Sequence, residues 1–125
     1  MAATSSYRKG WALRYLREAK AELLAAQKTP SIAQSLILEA MRKAQAAIYY
    51  SLGDPAFIES IIYQAFYTQQ SPDDEPVLRC LMEIERMIQK LSQTPETELS
   101  ETIKQVDDIV QIASDIVELF TGEKA

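Results

Sequence analysis

The sequence predicts an all-α fold: a five-helix up-and-down bundle, with residues 1–125 forming a single domain. Apolar residues recur with the 3.6-residue period of a helix along every long segment, and strand alternation is missing. Four of the five prolines directly follow a residue type that caps helices: Thr29-Pro30, Asp54-Pro55, Ser71-Pro72 and Thr94-Pro95. Proline at the first helical position lacks only an N–H that would be unpaired there anyway, so each pair opens a helix. The connections are short, and short links drive neighbouring helices antiparallel.

The first helix is expected over residues 5–27, with Trp11, Ala12, Tyr15, Leu16, Ala19, Leu23 and Ala26 on one side. The second, over 30–52, lines up Ala33, Leu36, Ile37, Ala40, Met41, Ala44, Ala47 and Ile48. Both stripes mix alanine with large residues, and small side chains let two axes approach closely, which predicts a tight antiparallel hairpin. Gly53 and Gly122 fall where periodic segments end and are expected in the left-handed closing conformation. The third helix, over 55–70, is expected to bury Phe57, Ile58, Ile61, Ile62 and Ala65. The fourth, over 75–92, is expected to bury Val77, Cys80, Leu81, Ile84, Met87, Ile88 and Leu91, with Arg79 and Glu83 paired on its outer side. Asp73, Asp74 and Glu75 precede it and suit the positive end of its dipole. Residues 1–4 and 123–125 are expected to fray.

The fifth helix, over 97–121, has two apolar stripes. Leu99, Ile103, Val106, Val110, Ala113, Val117 and Phe120 form a core seam; Ile109, Ile112, Ile116 and Leu119 run beside it. Together they cover an arc of roughly 200°, wider than the roughly 100° a surface helix needs. Either the helix is central and surrounded within its own chain, or the second stripe packs on a twofold mate in a homodimer. Asp108, Asp115, Glu118, Lys104 and Gln111 take the opposite, solvated side.

Composition removes many mechanisms. The chain holds no histidine, which excludes an imidazole base, a histidine metal ligand or a histidine proton shuttle. No Gly-rich loop can cradle a phosphate, and serine has neither a histidine nor a Ser-x-x-Lys pattern to activate it. Cys80 is the lone cysteine, set among Leu78, Leu81 and Met82, and reads as an inert thiol. The expectation is a non-catalytic protein with no cofactor and no metal site. The N-terminus lacks the hydrophobic run of a secretory signal and no stretch of about 18 apolar residues exists, so a cytoplasmic setting with no membrane partner is expected.

Charge is divided along the chain. Residues 1–50 carry eight basic and three acidic side chains, a net +5; residues 51–125 carry five and fifteen, a net −10. Arg14, Arg17 and Lys20 fall on one flank of the first helix and Arg42 on the outer face of the second, which makes them candidate phosphate or nucleic-acid contacts. The ordinary alternative is a charged exterior offset by Glu18, Glu22 and Glu39. Tyr49, Tyr50, Phe57, Tyr63, Phe66 and Tyr67 crowd into a short span without Lys or Arg, and read as a core corner or part of an oligomer contact.

The segments Trp11-Ala-Leu-Arg-Tyr-Leu-Arg-Glu-Ala-Lys-Ala-Glu-Leu-Leu-Ala-Ala26 and Ala40-Met-Arg-Lys-Ala-Gln-Ala-Ala-Ile48 resemble the opening hairpin of HEPN domains. The resemblance covers about half the chain and implies a small, dimeric prokaryotic helical bundle. Such a bundle acts beside a minimal nucleotidyltransferase or in a toxin–antitoxin pair. Active ribonucleases of that family carry Arg-x(4–6)-His late in the domain; the last helix here has neither residue, so no catalytic residue carries over. A non-catalytic, HEPN-like interaction protein is the resulting expectation. The alternatives are a nucleotide- or RNA-binding module using the basic hairpin and a TPR-like peptide binder, the latter weakened by the lack of a second copy at a 34-residue period.

Overall fold

The structure, a computed structural model, describes residues 5–67, 76–93 and 99–124, with the side chains of 65–67 and 99 outside that description. Five α-helices follow one another: α1 Ser6–Lys28, α2 Ala33–Leu52, α3 Pro55–Tyr67, α4 Pro76–Leu91 and α5 Leu99–Thr121, with a 3₁₀ turn at Pro30–Ile32 ahead of α2. The described residues contain no strand, so the fold is all-α.

Each end has a local cause. Ser5 sits in extended backbone and its hydroxyl accepts from the Arg8 amide at 3.2 Å, capping α1. Asp54 caps α3, its Oδ1 accepting from Ala56 N at 2.9 Å and Phe57 N at 3.3 Å, as the Asp-Pro signal predicts. Thr29 does not cap in this way: Pro30 opens a single 3₁₀ turn, and α2 proper begins at Ala33. Gly122 takes φ +79° and closes α5 by donating to Glu118 O at 2.8 Å. Gly53 does not take the expected left-handed conformation: with φ 169° it is ordinary extended backbone leading directly into the Asp54 cap. The Ser71-Pro72 and Thr94-Pro95 signals and the acidic run 73–75 lie outside the described residues.

The α1–α2 hairpin forms as expected. Arg8 reaches the Tyr50 carbonyl at 3.2 Å while Lys43 reaches Glu18 at 2.9 Å, so numbers rise along one helix as they fall along the other and the pair is antiparallel. Their seam is built on Ala12, Ala19, Ala40, Ala44 and Ala47, each fully buried, between Leu16, Ile37, Met41 and Ile48. Because no long side chain separates the backbones there, α2 also has a face left for α5, α4 and α3, and it is the central helix. Val106, Val110, Ala113 and Val117 bring the α5 seam onto this core, and Leu81, Ile84, Met87, Ile88 and Leu91 bring α4. Gln34 locks the end of α4 by donating to Leu91 O at 2.8 Å.

The third helix departs from expectation. Ile62 is buried and Ile58 half-buried, but Phe57 and Ile61 are exposed. This 13-residue helix touches α2 and α4 along one narrow line, so its apolar residues outnumber the positions that line can cover. Ala65 lies outside the described side chains. On α4 the expected outer ion pair changes partner: Glu83 accepts from Arg86 at 2.9 Å, one turn on.

Candidate functional site

The two stripes of α5 divide along the helix circumference. Ile109 and Ile116 are buried within the chain, whereas Ile112 is 48% and Leu119 73% exposed. At 100° per residue the exposed pair is rotated about 60° outward from the buried pair, past the edge that α4 covers and toward Asp108 and Asp115. Intramolecular packing thus accounts for half of the second stripe and leaves the other half open. Burying a large aliphatic side chain fully is worth ~1.5–3 kcal/mol, so covering what remains of these two offers about 2–4 kcal/mol per protomer.

The four candidate phosphate contacts do not share one surface. Arg14 and Arg17 stand on one exposed strip of α1, one turn apart. Arg14 is already engaged: its Nε lies 3.0 Å from Glu18 Oε2 and its guanidinium 5.1 Å over the Trp11 ring. Lys20 turns to α5, where its Nζ donates to Ser114 Oγ at 3.1 Å. Arg42 is exposed elsewhere, at a cleft between α2, α3 and α4 that Glu59 and Glu85 also line.

Among the remaining hairpin cations, Lys43 gathers all three of the hairpin's glutamates. Lys43, 20% exposed, bridges Glu18 at 2.9 Å and Glu22, with Glu39 at 3.8 Å. The hydrogen bonds to Glu22 and then Glu18 raise the Lys43 ammonium well above its usual range; those from Lys43 and then Arg14 hold the Glu18 carboxyl below its own. The three glutamates expected to offset the basic exterior thus engage Lys43 and, through Glu18, Arg14.

Sequence reasoning missed an aromatic strip. Tyr7, Trp11 and Tyr15 recur every four residues on α1, and Tyr50 joins them from α2: Trp11 lies 5.6 Å from Tyr15 and 6.3 Å from Tyr50, and Tyr15 lies 5.8 Å from Tyr50. The fourfold spacing is the signal that exposes it. Tyr50 therefore leaves the expected aromatic corner for α1, while its neighbour Tyr49 is buried toward α3 and α4. Phe57 and Tyr63 are exposed, and the side chains of Phe66 and Tyr67 lie outside the described residues.

Cys80, expected to be buried, is half-buried; its partial burial, then the neighbouring Glu83 carboxylate, pushes the thiol up to about 11. Among the described residues no group of three or more Cys, Asp or Glu side chains converges as metal ligands, and no helix is long and apolar enough to cross a membrane. Comparison with family models, curated proteins and solved structures finds no match to the chain.

Proposed function

We propose that the chain is a non-catalytic, HEPN-like helical interaction protein of the cytoplasm. On this reading it is an up-and-down bundle that self-associates through α5 and serves as partner or scaffold for another protein, such as a minimal nucleotidyltransferase. The observation that carries it is the exposure of Ile112 and Leu119 beside the buried Ile109 and Ile116. The two protomers together gain about 4–8 kcal/mol, which exceeds the lower estimate of association cost, about 4 kcal/mol, by no more than about 4, so the dimer is a weak, reversible one populated in the millimolar range. Ile112→Asp and Leu119→Asp test it. Each position is already wet, so the fold survives, and the average mass of a concentrated sample should fall to the monomer value. A mass unchanged from the wild-type oligomer would sink the reading. Aspartate at Ile116 would instead report on the core of the protomer, because that side chain is buried within the chain.

A second reading is favoured by the aromatic strip. Clustered rings, with Arg14 over Trp11 and Arg17 exposed one turn further along α1, are the materials of a single-strand platform, on which bases stack once Arg14 exchanges Glu18 for phosphate. Salt-dependent retention of a short single-stranded RNA, lost in an Arg14→Glu, Arg17→Glu variant, supports nucleic-acid binding. Absence of retention at low salt removes it.

A further inference from the structure

Helices α2, α3 and α4 border a cleft of about 400 Å³ that neither surface above uses. Its floor is polar and largely buried: Glu85 is 2% exposed, Tyr49 4% and Gln45 9%. Glu85 Oε2, Tyr49 Oη and Gln45 Nε2 are each buried without a hydrogen-bond partner among the described residues. Folded chains leave few such atoms, and three from two helices lining one cleft call for an explanation. Arg42 and Glu59 stand exposed at its rim. No ion pair among the described residues involves Glu85.

We infer that this cleft binds a small primary ammonium compound carrying an oxygen acceptor beside the amine, its N–H groups on the Glu85 carboxylate and its oxygen on the Gln45 amide. The three unpartnered atoms prescribe that pattern. A carboxylate accepts only, so Glu85 asks for N–H donors, and a cation makes the strongest bond there. Gln45 Nε2 donates only, so it asks for an oxygen. Tyr49 serves either group; burial and the nearby Glu85 carboxylate raise its phenol, so it keeps its proton and donates to the ligand oxygen. An anion would meet Glu85 and Glu59 with repulsion. A metal ion would find too few oxygen ligands, since no cluster of three acidic side chains exists among the described residues. The cleft falls within the volume range of small-molecule sites.

The full chain, isotopically labelled for amide NMR, is titrated with L-alaninamide at pH about 6.5, where an α-amino group is protonated. Saturable shifts confined to the surroundings of Gln45, Tyr49 and Glu85 are expected at millimolar ligand. N-acetyl-L-alaninamide, which lacks the charge, and propylamine, which lacks the oxygen, should each bind several-fold more weakly. Glu85→Gln should weaken L-alaninamide by about tenfold or more, and Tyr49→Phe by a smaller factor. The inference is overturned by a lack of saturable shifts up to about 20 mM, by shifts located elsewhere, or by equal binding of the acetylated compound. Retained affinity in a folded Glu85→Gln variant overturns it too. The ligand series on the unaltered chain decides the matter if either variant fails to fold.

Discussion

Replacing Lys43 by Met removes the ammonium that ties α1 to α2 while keeping most of the aliphatic stem. Two carboxylates then lose their cation at once, Glu18 at 2.9 Å and the closer Glu22, whose Oε2 already lies buried without a hydrogen-bond partner among the described residues. Exposed ion pairs are worth about 0.2–1 kcal/mol, and breaking a fully buried pair costs about 3–5. Lys43 and Glu22 are each one-fifth exposed, between those limits, so the expected loss is about 2 kcal/mol, or about 8 °C in Tm at this chain length. The pH dependence follows from the direction of each shift. Glu18 has a folded value below its ordinary 4.5, so its contribution is present above that pH and disappears as acid carries the chain through the lowered value. Lys43 has a folded value above its ordinary 10.5, so its contribution is complete below that pH and fades only in strong alkali. Thermal unfolding of the wild type should therefore be flat between neutrality and mild alkali and fall in acid, and Lys43→Met should show a lower plateau and a shallower acid limb. A variant within about 2 °C of the wild type, with the same acid slope, would refute the reasoning.

Three further outcomes are expected. Ala44→Leu, at a fully buried position of α2, should lose about 1–3 kcal/mol by overpacking, and unchanged denaturant midpoints would show that the core has room there. Glu85→Gln should raise Tm in ligand-free buffer, because it removes a buried charge that has no ion-pair partner among the described residues; a lower Tm would mean that the carboxylate is compensated. Cys80, half-buried, should react slowly with a thiol reagent at neutral pH and accelerate as pH approaches about 11; fast labelling at pH 7 would contradict the raised thiol.

The helices and most of their buried faces were legible because one signal, the 3.6-residue period, is set by the geometry that folding uses. Asp54-Pro55 shows the same for caps, since the oxygen and the missing N–H act within one turn. Legibility ends where a partner lies far along the chain. Ile61 and Ile62 are equally apolar neighbours, and only the narrow line of contact between α3, α2 and α4 decides that one is buried and the other wet. Ile109 and Ile112 part in the same way at the edge of α4. Glu85 was missed because a carboxylate between Ile84 and Met87 reads as a solvated position until α2 supplies Tyr49 and Gln45 opposite it. The candidate cations scatter for a related reason: Lys20 and Arg42 each lean toward a helix distant in sequence.

α5 keeps an apolar edge at Ile112 and Leu119, and on the proposed reading a second copy of the chain covers it. Isotope-filtered NOE spectroscopy on an equal mixture of labelled and unlabelled chains at about 1 mM examines that edge atom by atom, at a concentration where a dimer of the expected strength is populated. Cross-peaks between subunits should arise from the methyl groups of Ile112 and Leu119, and none from Ile37, which is fully buried in the protomer. A spectrum without intersubunit peaks, or one whose peaks come from Phe57 and Ile61 of α3 instead, would contradict the account.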